Sequence, residues 1–254
     1  MGKAKNFRFV LGLSHVLSFL RLGGWLKVYW VKSVLNKHKK RDEWFLDDYS
    51  VNPYFGCPFN CVYCYIRGSK YGADMAKTLT AKINAPTILE KQLRLKAKKG
   101  EYGIILLSSS TEAYPPIEES LGLTRKILKT ILKNRFPTHI LTKSTLVLRD
   151  LDLLRKIDEK AVLPWDLKQK LRRGVIISFS ISTLNKKLAE VVEPGAPPPK
   201  ERLEAMKKNV GRRVFWLVWF LFLSYPTYPT LRRSWIGWLK LLRLMVQNLF
   251  WLGL

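Results

Sequence analysis

Cysteine and histidine are scarce in this 254-residue chain, with three of each. No cysteine lies outside residues 57–64, which excludes the spread disulfide framework of a small exported domain. His15, His38 and His139 are far apart, so no histidine-rich metal motif can be read from local spacing. Asp and Glu are missing from residues 1–41 and again from 209–254. No apolar run approaches the ~20 residues that cross a bilayer as a helix; VFWLVWFLFL at 214–223 has ten. The N-terminal stretch has neither a long apolar core nor a small-residue cleavage site, so no export signal is evident. Reduced thiols and the lack of such a signal point to the cytoplasm.

The missing acids explain the net charge of +26. Ten Lys/Arg fall in residues 1–41 and six in 209–254; without those sixteen, residues 42–208 carry only +10. The excess therefore sits at the ends, and three segments follow: a basic N-terminal extension (1–41), a core (42–208) and an atypical tail (209–254). The tail holds five of the nine tryptophans. Its LRRSWIGWLKLLRLM stretch could lie on a membrane surface as an amphipathic helix. A frameshift is the preferred reading of the tail. From Asn209 onward, the frame that starts at the third codon base can encode a strand, an acidic turn, an amphipathic helix and a second strand, the order a βα repeat needs.

What is present is a C-x3-C-x2-C loop, Cys57, Cys61 and Cys64, within NPYFGCPFNCVYCYIR. Three thiolates on one short turn suit an iron–sulfur cube with three irons held by protein and the fourth open. A structural zinc site would want a fourth ligand, and three ordinary buried thiols are the remaining reading.

Downstream stand SSSTEAYPPIE (108–118), ILTKSTLVLRDLDLL (140–154), SFSISTLNKKLAEVVEPGAPPP (178–199) and ERLEAMKK (201–208). With the cysteine loop, in which Tyr63 fills the aromatic slot before Cys64, these segments resemble the radical S-adenosylmethionine superfamily. Within it they resemble the subgroup similar to spore photoproduct lyase. The resemblance covers about residues 28–208. It implies a [4Fe-4S] cluster on Cys57, Cys61 and Cys64, with the amine and carboxylate of S-adenosylmethionine on the open iron. Reductive cleavage would then make a 5′-deoxyadenosyl radical that abstracts a substrate hydrogen. It also implies a reductant such as ferredoxin or flavodoxin, and leaves the substrate open, with nucleic acid among the candidates.

Matching the motifs residue by residue implies cofactor contacts from Tyr63, Tyr65, Thr111, Glu112, Lys143 and Ser180. Tyr63 and Tyr65 would pack by adenine and ribose, or be plain core aromatics. Lys143 would reach the cofactor carboxylate as a point charge, or simply be solvated. Glu118 and Glu193 recur in the pattern as capping or pairing residues. Spore photoproduct lyase uses a further cysteine as hydrogen donor near the second strand's end. Ser110 stands there in this chain, and every thiol belongs to the loop, so dimer-lesion repair by that route is disfavoured.

The hydropathy pattern predicts strands at 49–55, 103–107, 139–142 and 174–180, with helices at 86–99, 117–133, 148–160 and 201–208. Alternation of this kind implies an α/β fold with a parallel sheet, and the polar segments fall at strand C-terminal ends, where such folds gather their chemistry. The resembling fold is a partial (β/α) barrel of six strands, of which this chain encodes about four in frame. Two other functional classes fit the composition. A basic nucleic-acid-binding protein would use LNKHKKR (35–41) and KQLRLKAKKG (91–100), although lysine runs are usually solvated helix faces. An inactive truncated fragment would follow from the tail.

Overall fold

The computed structural model describes residues 25–43, 45–69, 78–207 and 215–220. Residues 1–24 and most of 209–254, including the expected tail helix, lie outside them. The described residues all fall in one unit, which ends at Phe220.

The main sheet has strand order β2-β3-β6-β7-β8-β9. Its members are β2 Asn36–Lys37, β3 Tyr49–Val51, β6 Ile105–Leu107, β7 Thr138–Thr142, β8 Val175–Ile181 and β9 Phe215–Phe220. Only β2 is antiparallel; β3, β6, β7, β8 and β9 run parallel. Four parallel strands were expected in frame, and β9 is a fifth. Phe215–Phe220 joins β8 in register from Ile176↔Phe215 to Ile181↔Phe220, as a wholly apolar run suits a strand flanked on both faces. Residues 25–41, grouped by charge with the N-terminal extension, contribute β2 and also β1 Trp25–Tyr29.

A second sheet, β1-β5-β4, pairs β5 Thr78–Lys82 with β1 in parallel and with β4 Tyr54–Phe55 antiparallel. The single strand expected over 49–55 is therefore divided between two sheets. Pro53 has no N–H to continue a ladder, and the Asn52 side chain bonds elsewhere. Tyr54, Leu79, Ala81, Ile117 and Leu123 form a buried cluster between this sheet and the helices after β6.

Helix α1, Ala85–Lys98, has Pro86 in its first turn and buries Ala85, Leu89 and Leu93, one apolar stripe at i, i+4, i+8. The helix expected over 117–133 is two: α2 Glu118–Leu121 and α3 Leu123–Asn134. Gly122 at φ 57° breaks them in the left-handed region that glycine enters without strain. The Glu118 carboxylate then accepts from Thr124 N at 3.0 Å, placing negative charge at the start of α3. A 3₁₀ segment, Thr145–Asp150, precedes α4 Leu151–Lys160, and α5 Lys186–Val192 and α6 Pro199–Lys207 follow β8.

Register separates two faces of the sheet. Val51, Leu107, Ile140, Ile177 and Phe179 share a mainly apolar face with Thr138 and Thr142, suited to helices packing over a parallel sheet. Ser50, His139, Ser178 and Ser180 share the other with Leu106, Leu141 and Ile176. On that mixed face His139 Nε2 lies 2.6 Å from Ser178 Oγ and Nδ1 2.9 Å from the Phe45 carbonyl.

Candidate active site

The cysteine loop leaves β4 through Gly56 at φ 83° and turns at Asn60, φ 50°, left-handed positions that glycine and asparagine tolerate. Cys64 N donates to Cys61 O at 3.2 Å and Arg67 N to Cys64 O at 3.0 Å. The Arg67 guanidinium donates to Cys61 O at 2.8 Å and Asn60 O at 3.0 Å, so one side chain ties down two loop carbonyls. Two bonds from the 192–195 segment close the loop from above: Val62 N to Val192 O at 2.9 Å, and Gly195 N to Phe59 O at 3.1 Å.

The parallel strands deliver their C-terminal ends to the same region. Asn52, one residue past β3, donates to Ser109 Oγ at 2.9 Å and accepts from Ser110 N at 3.1 Å, shaping the 108–112 turn after β6. Glu112 is buried and bridges that turn to β7. It accepts from Thr142 Oγ1 at 2.6 Å, Tyr114 N at 3.0 Å and Lys143 N at 3.1 Å. Burial raises its carboxyl above the usual range, opposed by those hydrogen bonds. Its oxygens thus hold the protein's own loops together.

Behind the loop lies a buried charge network. Arg202 Nη2 meets Glu193 Oε2 at 2.7 Å, and both side chains are fully buried. Arg202 also donates to Pro197 O at 2.7 Å and to Ser180 O at 2.9 Å. The other oxygen of Glu193 accepts from the Tyr63 hydroxyl. Lys143 Nζ lies 3.9 Å from that oxygen, outside hydrogen-bonding distance, and 5.8 Å from the Tyr63 ring centroid.

Of the residues singled out in the sequence, Tyr63 and Lys143 come together at the cysteine loop. Ser180 lies one residue before the end of β8, and its buried hydroxyl has no hydrogen-bond partner among the described residues; the same holds for Thr111 Oγ1 and Ser108 Oγ. Tyr65 is 75% exposed, with its hydroxyl on the Ser109 carbonyl. Asn52, Arg67, Gly195 and Arg202 went unnoticed. The first two lie in the motif around the cysteines and could have been read as loop-holding residues. Arg202 carries no local signal, because one arginine in an amphipathic helix looks like surface.

The residues present fit an iron–sulfur cluster with a polar organic ligand. Burial, and next the Glu112 carboxylate, push the Cys57 thiol up to about 12. Burial also raises Cys61, with Lys143 pulling the other way. Thiols in surroundings that oppose the thiolate need a bound cation to ionise them. Among the described residues no three His, Cys, Asp or Glu converge closely enough for a single metal ion; a cube of irons holds its thiolates farther apart than one ion does. Unpartnered buried hydroxyls at strand ends are costly unless a ligand satisfies them. A cavity of about 480 Å³, lined among others by Phe59, Glu119, Ser144, Pro194, Pro197 and Glu201, borders the loop at Phe59, but none of the cysteines or expected cofactor contacts lines it.

Comparison with known proteins agrees. The chain is 34% identical over 163 residues to an uncharacterized protein of Methanocaldococcus jannaschii, covering 63% of this chain and 54% of that protein. An uncharacterized protein of Acidianus two-tailed virus is 29% identical over 177 residues, 66% of this chain and 54% of that one. The chain thus spans about half the length of these relatives. Its fold is similar to that of spore photoproduct lyase complexed with dinucleoside spore photoproduct, with a TM-score of 0.59 at 16% identity, covering 96% of this chain and 63% of that one. A mutant of that lyase with bound AdoMet and the same dinucleoside gives 0.55 at 16%, covering 84% and 56%. The profile of the Radical SAM superfamily matches residues 51–223, which contain all three cysteines and the C-terminal ends of β3, β6, β7 and β8, and the chain belongs to that superfamily.

Proposed function

We propose that this chain reductively cleaves S-adenosylmethionine at a [4Fe-4S] cluster held by Cys57, Cys61 and Cys64. The observation that carries the reading is the convergence of a tightly held three-cysteine loop with Lys143 and with unpartnered hydroxyls from two strand ends, those of β6 and β8. When bound, the cluster would deliver one electron to the sulfonium, and the adenosyl carbon radical so released would take a hydrogen atom from substrate. Lys143, with no hydrogen bond to Glu193, is free to meet the cofactor's carboxylate. Thr111 and Ser180 offer hydroxyls to its polar groups, and Tyr63 presents a ring face steadied by Glu193. Glu112 acts indirectly, by holding the 108–112 turn against β7. Tyr65 covers the cofactor only as a rim residue.

An external reductant such as ferredoxin or flavodoxin, in the cytoplasm, completes the proposal. No described helix is long and apolar enough to cross a membrane. The substrate is nucleic-acid related on the strength of the lyase likeness alone, and with Ser110 after β6 the chain has no spare thiol to quench a product radical. The core (42–208) would carry this chemistry.

Anaerobic reconstitution followed by dithionite and S-adenosylmethionine tests this directly. The expected result is brown protein that forms 5′-deoxyadenosine, with iron and product both lost in Cys57→Ala, Cys61→Ala and Cys64→Ala. Full iron retention in all three variants would overturn it. Salt-dependent DNA binding by cluster-free protein would favour the nucleic-acid-binding class instead.

A further inference from the structure

Arg202 is the largest fully buried side chain in the described fold, and nothing in the reaction proposed above uses it. A buried guanidinium is expensive unless each donor is met. Here Nε and Nη1 donate to Pro197 O and Ser180 O at 2.7 and 2.9 Å, while Nη2 lies 2.7 Å from Glu193 Oε2 as an ion pair without hydrogen-bond geometry. These partners belong to the segment that clamps the cysteine loop, the C-terminal end of β8, and the carboxylate behind Tyr63.

The consequence lies in what remains for Lys143. Two cations flank one carboxylate, and the two contacts differ. Arg202 is in full contact at 2.7 Å, while Lys143 stands off at 3.9 Å. A carboxylate already neutralised at close range by a buried guanidinium has little further pull on a second cation. Without Arg202, Glu193 would be a buried anion whose nearest cation is Lys143, and the flexible lysine stem would let the ammonium close the gap.

We propose that Arg202 is a positioning residue that, by satisfying Glu193, keeps the Lys143 ammonium available to the carboxylate of S-adenosylmethionine. This rests on the role given to Lys143 above and adds the residue that controls it. A purely structural ion pair makes a different prediction: removing either partner would weaken cofactor binding in step with lost stability. Control of Lys143 predicts opposite behaviour of the two partners. Glu193→Gln keeps an oxygen for the Tyr63 hydroxyl but removes the charge that competes for Lys143.

The test uses the full chain, anaerobically reconstituted, as wild type, Arg202→Gln, Glu193→Gln, the double variant and Lys143→Ala. Iron per chain, melting temperature and S-adenosylmethionine affinity by equilibrium dialysis are measured on each. Arg202→Gln is expected to bind at least tenfold more weakly than wild type. Glu193→Gln should stay within threefold despite a lower melting temperature, and the double variant should recover to within threefold of Glu193→Gln. Unchanged affinity in Arg202→Gln, or no recovery in the double variant, overturns the inference. Should Arg202→Gln fail to fold, a tenfold loss in both Glu193→Gln and the double variant also overturns it. Wild-type affinity in Lys143→Ala would instead sink the reading of Lys143 itself, so the two failures are told apart.

Discussion

Gly195 lies against Pro58 so closely that a β-carbon on it would stand 2.2 Å from the Pro58 carbonyl oxygen and 2.9 Å from the Phe59 Cα. Both obstacles are backbone, which cannot rotate aside as a side chain would. The EPGAP segment therefore reaches the cysteine loop only because residue 195 lacks a side chain, and its amide then bonds Phe59 O.

Gly195→Ala must push the two segments apart. Overpacking of this kind costs about 1–3 kcal/mol, and here the displaced element carries the cysteines. The expected outcome is a lower urea midpoint together with less than half the wild-type iron after reconstitution. Wild-type iron loading in this variant would show that the clamp does not hold the loop.

Glu118 is fully buried with Arg149 Nη2 at 2.8 Å, the Tyr54 hydroxyl at 2.5 Å and Thr124 N at 3.0 Å. Glu118→Ala strips the partly exposed Arg149 of one of its two carboxylates, Asp150 being the other, and α3 of its N-terminal anion. Leaving the buried Tyr54 hydroxyl and Thr124 amide without their acceptor costs about 1–3 kcal/mol. Urea denaturation should read a loss of that size, and a loss below about 1 kcal/mol would contradict the assignment of Glu118 to the frame. Iron per folded molecule should stay unchanged, because Glu118 supports the helices and not the cysteine loop.

His139 is held neutral, its pKa lowered below the ordinary 6.5 mainly by burial, which the Phe45 carbonyl partly offsets. The unfolded chain therefore takes up a proton at this position before the folded one does. Stability should fall as pH drops below about 6.5, by up to ~1.4 kcal/mol per unit from this residue, until the folded pKa is reached. Urea midpoints at pH 7.5 and 5.5 should show a smaller difference for His139→Gln than for wild type. Equal differences would mean that His139 does not titrate across folding.

The local parts of this protein were legible because their signals are short-range. Leu89 and Leu93 mark one face of α1 by helical spacing, and three cysteines within eight residues define a loop whatever surrounds it. The strand cores 105–107, 138–142 and 175–181 were visible as β-branched and aliphatic runs. Less was legible where one residue overrides a pattern. Gly122 splits an apolar periodicity that reads as one helix, and Pro53 passes the chain from one sheet to another. Phe215–Phe220 was set apart by its tail composition, yet it pairs along β8, because an apolar run beside an open parallel edge meets the same requirement as any strand.

The amino-acid order alone determined the parallel α/β plan, the cysteine loop and the family, since each depends on spacings of a few residues. The tertiary structure decided which polar groups face that loop and which are already engaged. Glu112 and Lys143 looked alike as cofactor contacts; folding ties the first into its own loops and leaves the second 3.9 Å from its nearest carboxylate. The pairing of Arg202 with Glu193 exists only once α6 folds back on the EPGAP turn, and the contact of Gly195 with a segment well over a hundred residues earlier only once the fold brings the two together. Such contacts are selected by packing and by the cost of burying an unpaired charge, and neither leaves a mark in local sequence.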